Sequence, residues 1–193
     1  MISGKAPALP KKKRIKPGVA TIGAKERRTL DTTIVMGVIG SGVAATLALD
    51  LWQRLVFRLG GYPASNWAMV GRWLMVLLRR GVIFNDRLTK TDPVEREAAI
   101  GWTLHYLVGI GYALLYWALW QVAGMIQPTW GHGALFGVIS VVVPWFFFMP
   151  AMGAGLLARH APNPSLTCAF ALAGHTVFGT VLGGVMGAIS ASV

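Results

Sequence analysis

The chain has 193 residues, 54% of them hydrophobic and 13% charged, with a formal net charge of +11. An ordinary soluble domain is about 45–50% apolar and about 25% charged, so a soluble enzyme and a disordered regulator are excluded. The single cysteine, Cys168, excludes an internal disulfide framework and a cysteine metal cluster.

Residues 1–33 carry nine Lys/Arg against Glu26 and Asp31, including the run Lys11-Lys12-Lys13-Arg14-Ile15-Lys16. Few residues there can build a core, which predicts a basic N-terminal arm, flexible or ordered by a partner. The run is similar to a nuclear-localisation signal. In a multi-spanning chain it reads better as a cytoplasmic arm held near anionic headgroups, each base contributing about 1 kcal/mol. The first apolar stretch begins only at Ile34, too late and too long for a cleavable signal peptide.

A helix needs about 20 apolar residues to cross a bilayer. Four stretches qualify, at 34–57, 98–120, 133–158 and 166–190, and the last three carry no charge. Open strands cannot satisfy their backbone in lipid, so the predicted fold is an all-α integral membrane domain over 34–193. Between the first two spans, residues 66–80 are too short to cross and carry Arg72 mid-run with Trp67 and Trp73. They predict an interfacial or re-entrant helix. A fifth span over about 65–84 is the alternative.

A weak repeat favours four spans. Gly37-Val38-Ile39 recurs as Gly137-Val138-Ile139, and His105-x-x-x-Gly109 recurs as His175-x-x-x-Gly179. The first match pairs spans one and three, and the second pairs spans two and four. Two helical hairpins of the same orientation follow. The basic arm then places both ends of the chain in the cytoplasm.

Two stripes of small residues stand out. Gly101, His105, Gly109 and Ala113 share one face of the second span, and Ala171, His175, Gly179, Gly183 and Gly187 one face of the fourth. Small residues at this spacing let helices approach closely in lipid, which predicts helix packing. The sharper reading makes His105 and His175 ligands of a haem, a chlorophyll-type pigment or a quinone. Asp50 is the only acid inside a span, and an intramembrane carboxylate is a functional candidate by default. It can pair locally with Arg54, or join Arg72, His105 and His175 in a polar cluster at one depth. Pro144 and Pro150 interrupt the third span and predict a kink, or a broken helix beside a substrate path. No catalytic set, phosphate loop or metal cluster is legible.

Leu49-Asp50-Leu51-Trp52, Val70-Gly71-Arg72-Trp73, Gly101-Trp102-x-x-His105-Tyr106, Pro150-Ala151-Met152-Gly153-Ala154-Gly155, Pro162-Asn163-Pro164 and His175-x-x-Phe178-Gly179 occur in this order. In these motifs the chain resembles the bacterial domain-of-unknown-function family 2938 over about residues 34–190, with the basic arm outside. The resemblance implies a multi-pass protein of the bacterial inner membrane with a helical fold, and it implies no activity. Together these features predict a non-enzymatic accessory subunit of a larger membrane complex, of photosynthetic or respiratory type. It would dock through its small-residue stripes and basic arm, with lipid but no nucleic acid as further partner. The alternatives are a haem-, pigment- or quinone-binding protein using His105 and His175, or a small-solute carrier near Asp50, acting as a homo-oligomer.

Overall fold

The structure, a computed structural model, describes residues 17–192, with side chains described from Thr32 onward. Residues 1–16 of the expected arm lie outside the described residues. Contacts divide the chain into two units, Met1–Val35 and Met36–Val193. The first unit contains the N-terminal turns of α1.

Helix α1 spans Pro17–Gly60. It therefore starts well before the expected span, and residues 17–33 of the expected arm are helical. Ala20, Ala24, Lys25, Arg27, Arg28 and Leu30 are strong helix formers, and proline suits a first helical position.

The other helices begin and end where capping chemistry dictates. Helix α2 spans Trp67–Arg80; the Asn66 side chain accepts from the Met69 N–H, and Gly81 closes the helix in the left-handed conformation. Helix α3 spans Glu97–Gln121. Helix α4 spans Trp130–Ala151, capped by Thr129 accepting from His132 N–H. Helix α5 spans Pro164–Ser190, capped by Asn163 with Pro164 in its first turn.

Four of these helices are long and apolar enough to cross a membrane: Thr32–Gly60, Glu97–Gln121, Trp130–Ala151 and Pro164–Ser190. Helix α2, with 14 residues, extends only about 21 Å at about 1.5 Å per residue, against a hydrocarbon core of about 30 Å. It is the expected short helix, and the fold has four spans. The third span ends at Ala151 rather than residue 158. Gly153 and Gly155 take positive φ there, at 88° and 76°, and turn the chain out of the helix.

The two predicted hairpins are present. Helices α1 and α3 cross at Gly42 and Gly109, and α4 and α5 cross along Gly133, Gly137, Gly179 and Gly183. Gly37, near the start of the first span, lies against Ile189 at the end of the fourth. In the α4–α5 seam the backbones are in contact, so a Cβ on Gly137 would overlap the His175 carbonyl and one on Gly179 the Gly133 carbonyl. Backbone cannot yield as a side-chain tip does. Gly179→Ala is therefore expected to destabilise the domain by about 1–3 kcal/mol, read as a lower midpoint of thermal unfolding in mild detergent. An unchanged midpoint would show that the seam is looser than this geometry requires.

Two cores result. Val38, Ala45, Ala113, Tyr116, Phe136, Phe178, Leu182 and Met186 fill the space between the four spans. Trp73, Val76, Leu88 and Ala151 fill a smaller one beneath α2. Outward-facing Leu47, Leu51, Leu107, Leu114, Ile139 and Phe146 are exposed. So much exposed apolar surface is costly in water and suits lipid tails.

Candidate functional site

The expected polar cluster is divided into three separate arrangements. The first joins α1 to α3. Asp50, 7% exposed, accepts the Tyr106 hydroxyl at 3.1 Å on Oδ2, and its Oδ1 lies 3.0 Å from His105 Nε2. Trp67, the first residue of α2, stacks flat on the His105 imidazole at 3.7 Å, and Trp102 meets it edge-on at 5.8 Å. The histidine is thus held by a carboxylate on one edge and indole on one face. Arg54 is exposed on α1, and the Asp50 carboxylate is shared by His105 and Tyr106 instead.

The second arrangement joins α2 to α3 and lies apart from Asp50. Arg72 Nε and Nη2 donate to the two carboxylate oxygens of Glu97 at 2.8 Å, and Nη1 donates to the Thr91 carbonyl at 2.8 Å. The bonded carboxylate pushes the Arg72 pKa up, so the guanidinium stays charged. Beside this clamp Gly71 and Gly101 bring the two backbones together. Arg72 is a structural pin between helices here. Arg72→Ala would leave the Glu97 carboxylate without its two charged donors, and a loss of roughly 2 kcal/mol is expected. Urea or thermal unfolding in detergent measures it, and Arg72→Lys, which cannot form the fork, should recover only part.

The third arrangement joins α4 to α5. His175 Nδ1 lies 2.9 Å from Ser140 Oγ, and the Ser140 hydroxyl donates to the Gly137 carbonyl at 2.8 Å. The repeat is therefore visible in chemistry as well as topology. In each hairpin the histidine of the second helix bonds a polar side chain of the first, and the glycine one turn later forms the crossing.

His105 and His175 both face one cavity of about 490 Å³ between the helices. Most of its wall is apolar: Leu49, Trp52, Val108, Phe148, Phe170 and Phe178 contribute, with Tyr112 edge-on to His175 at 6.1 Å. Pro144 lines it too, at the start of a π-helical turn over Pro144–Phe148. Proline has no N–H for the Ser140 carbonyl four residues earlier, and the wider turn absorbs the mismatch. The predicted interruption is therefore a local bulge on the cavity wall.

One part of the cavity wall is formed by the segment between α1 and α2. Tyr62 stacks on Phe170 at 3.9 Å and its hydroxyl donates to Thr167 at 2.9 Å. The Ser65 N–H donates to Gln53 Oε1 at 2.7 Å. Gly61, at φ 68°, makes the turn that this return requires.

Sequence reasoning singled out Asp50, His105 and His175 and missed four of their neighbours. Tyr106 was visible beside His105. Trp67 was assigned to the interface because aromatic residues flank a short helix. Ser140 and Tyr112 carried no signal beyond being polar or aromatic in an apolar run. The stripes at Gly101–Ala113 and Gly179–Gly187 are used for contacts inside the chain, with Gly187 against the Pro128 carbonyl. Among the described residues no group of three or more His, Cys, Asp or Glu could hold a metal ion.

The fold and this cavity define a four-span helical membrane protein with paired histidine hairpins around an apolar chamber. Residues 38–189 match the family described as Protein of unknown function (DUF2938), and the chain belongs to that family. No curated protein and no solved structure matches it.

Proposed function

We propose that this protein binds an apolar small molecule with a polar head group inside the membrane, in the cavity between the hairpins. The observation that carries the reading is the cavity itself: about 490 Å³, largely apolar, with His105 and His175 on its wall. Ligand sites are typically chambers of about 300–1,000 Å³, apolar with a few placed polar groups. The quinone class fits this chemistry better than a haem held between two histidines. His105 Nε2 is engaged by Asp50 and its face is covered by Trp67.

The protein belongs, in this proposal, to the bacterial inner membrane with its basic N-terminal arm in the cytoplasm. The Tyr62 end of the cavity then faces the periplasmic side. An accessory role in a larger complex would need a surface other than the two glycine stripes, which are occupied within the chain.

Solvent extraction of protein purified from its native membrane tests the proposal. Near one copy per chain of a single non-phospholipid molecule is expected. Bulk phospholipid in membrane proportions, and nothing else, would sink it. A Soret band in the same preparation would instead favour haem or pigment, and comigrating larger subunits the accessory role.

A further inference from the structure

The hydrogen bonds around His175 specify the head group. Ser140 has one hydroxyl proton. Its oxygen lies 2.8 Å from the Gly137 carbonyl, and at that separation two oxygens without a proton between them repel. The proton therefore lies on that line, and Ser140 Oγ can only accept at its other contact, 2.9 Å away at His175 Nδ1. So Nδ1 carries the ring hydrogen. Among the described residues no carboxylate pairs with His175. An imidazolium without a counter-charge is costly in such a wall, and the ring is neutral. Its Nε2 is then a bare lone pair, and the residue lines the cavity.

A second polar group points the same way. Tyr112 also lines the cavity, next to His175, and its hydroxyl makes no hydrogen bond among the described residues. It can donate and accept. A ligand hydroxyl can give its proton to His175 Nε2 and take one from Tyr112. A carbonyl can do only the second and leaves Nε2 unpaired.

We infer that the cavity selects a hydroxyl-bearing head group, a hydroquinone or phenol rather than a quinone. This rests on the binding reading above and adds the polarity of the site. The tautomer is set by Ser140, which is a positioning residue.

The test uses the full chain purified in mild detergent and titrated anaerobically by calorimetry with three probes. These are decylhydroquinone, decylbenzoquinone and the dimethyl ether of the hydroquinone. The hydroquinone is expected to bind about tenfold more tightly than the other two, the equivalent of about 1.4 kcal/mol. His175→Phe should bring the three affinities together. Ser140→Ala is the milder variant. It releases Nδ1, lets the ring present Nε2–H to the cavity, and should shift the preference towards the quinone. Equal affinities in the unaltered protein, or tighter quinone binding, overturn the hydroxyl assignment and leave the cavity as a ligand site. Absence of binding by all three overturns both.

Discussion

Asp50→Ala is expected to destabilise the domain by about 2–4 kcal/mol, since each buried polar group left without its partner costs about 1–3 kcal/mol. The size follows from what is left behind. His105 loses its partner at 3.0 Å and Tyr106 loses its acceptor at 3.1 Å. His105 is buried and Tyr106 partly so, and each unpaired group retains its desolvation penalty to the extent that it is buried. Asp50→Asn separates charge from geometry. The amide oxygen can still accept from His105 or Tyr106, so its loss should stay below about 2 kcal/mol. Thermal unfolding of the two variants in the same detergent gives the ranking. A double-mutant cycle with Tyr106→Phe then isolates the shared bond, with a coupling of about 0.5–3 kcal/mol expected for residues in contact. If Asp50→Asn is as damaging as Asp50→Ala, the carboxylate charge holds the two helices together and the hydrogen-bond account fails. A well-folded Asp50→Asn protein is also the right material for asking whether the charge moves protons or solutes.

The architecture was legible because lipid imposes its own spelling. Long apolar runs mark the spans, whereas the caps that set the edges of α2, α4 and α5, at Asn66, Thr129 and Asn163, emerge only in the structure. The hairpin repeat was legible from the His-x-x-x-Gly motif, whose glycine is the crossing point in both copies. Two boundaries were not. Proline at 17 looked like a linker residue but stands first in α1, because the same residue suits a loop and a first helical turn. The third span looked longer than it is because Leu156 and Leu157 continue the apolar run after the helix has ended, at Gly153 and Gly155. The candidate site was half legible. Asp50 and His105 stand out as rare residues in apolar helices, yet nothing local says that they meet, since they are 55 positions apart. Arg72 stood out for the same reason and was grouped with them. Its true partner, Glu97, sits just ahead of an apolar run where a charge is unremarkable. Rarity marks which residues need partners, and only the helix crossings decide which partners they get.

Filling the cavity should separate binding from stability more sharply than any polar substitution. Ala171 lines the chamber one turn before His175, and Ala171→Phe places a ring inside it. The chamber of about 490 Å³ is lined mostly by apolar groups and opens between the helices, so a ring placed there regains the contacts that unfilled apolar space forfeits. Ala171→Phe should therefore fold at least as stably as the unaltered chain in ligand-free detergent, gaining about 0.5–2 kcal/mol as cavity-filling changes commonly do. Its affinity for decylhydroquinone should fall by roughly a hundredfold, equivalent to about 2.7 kcal/mol. The two readouts move in opposite directions only if the space is a binding site. Gained stability with undiminished binding would place the ligand elsewhere on the protein. Lost stability would mean that the wall cannot accept the ring, and Val108→Phe, from the facing helix α3, would then repeat the test from the other side of the chamber.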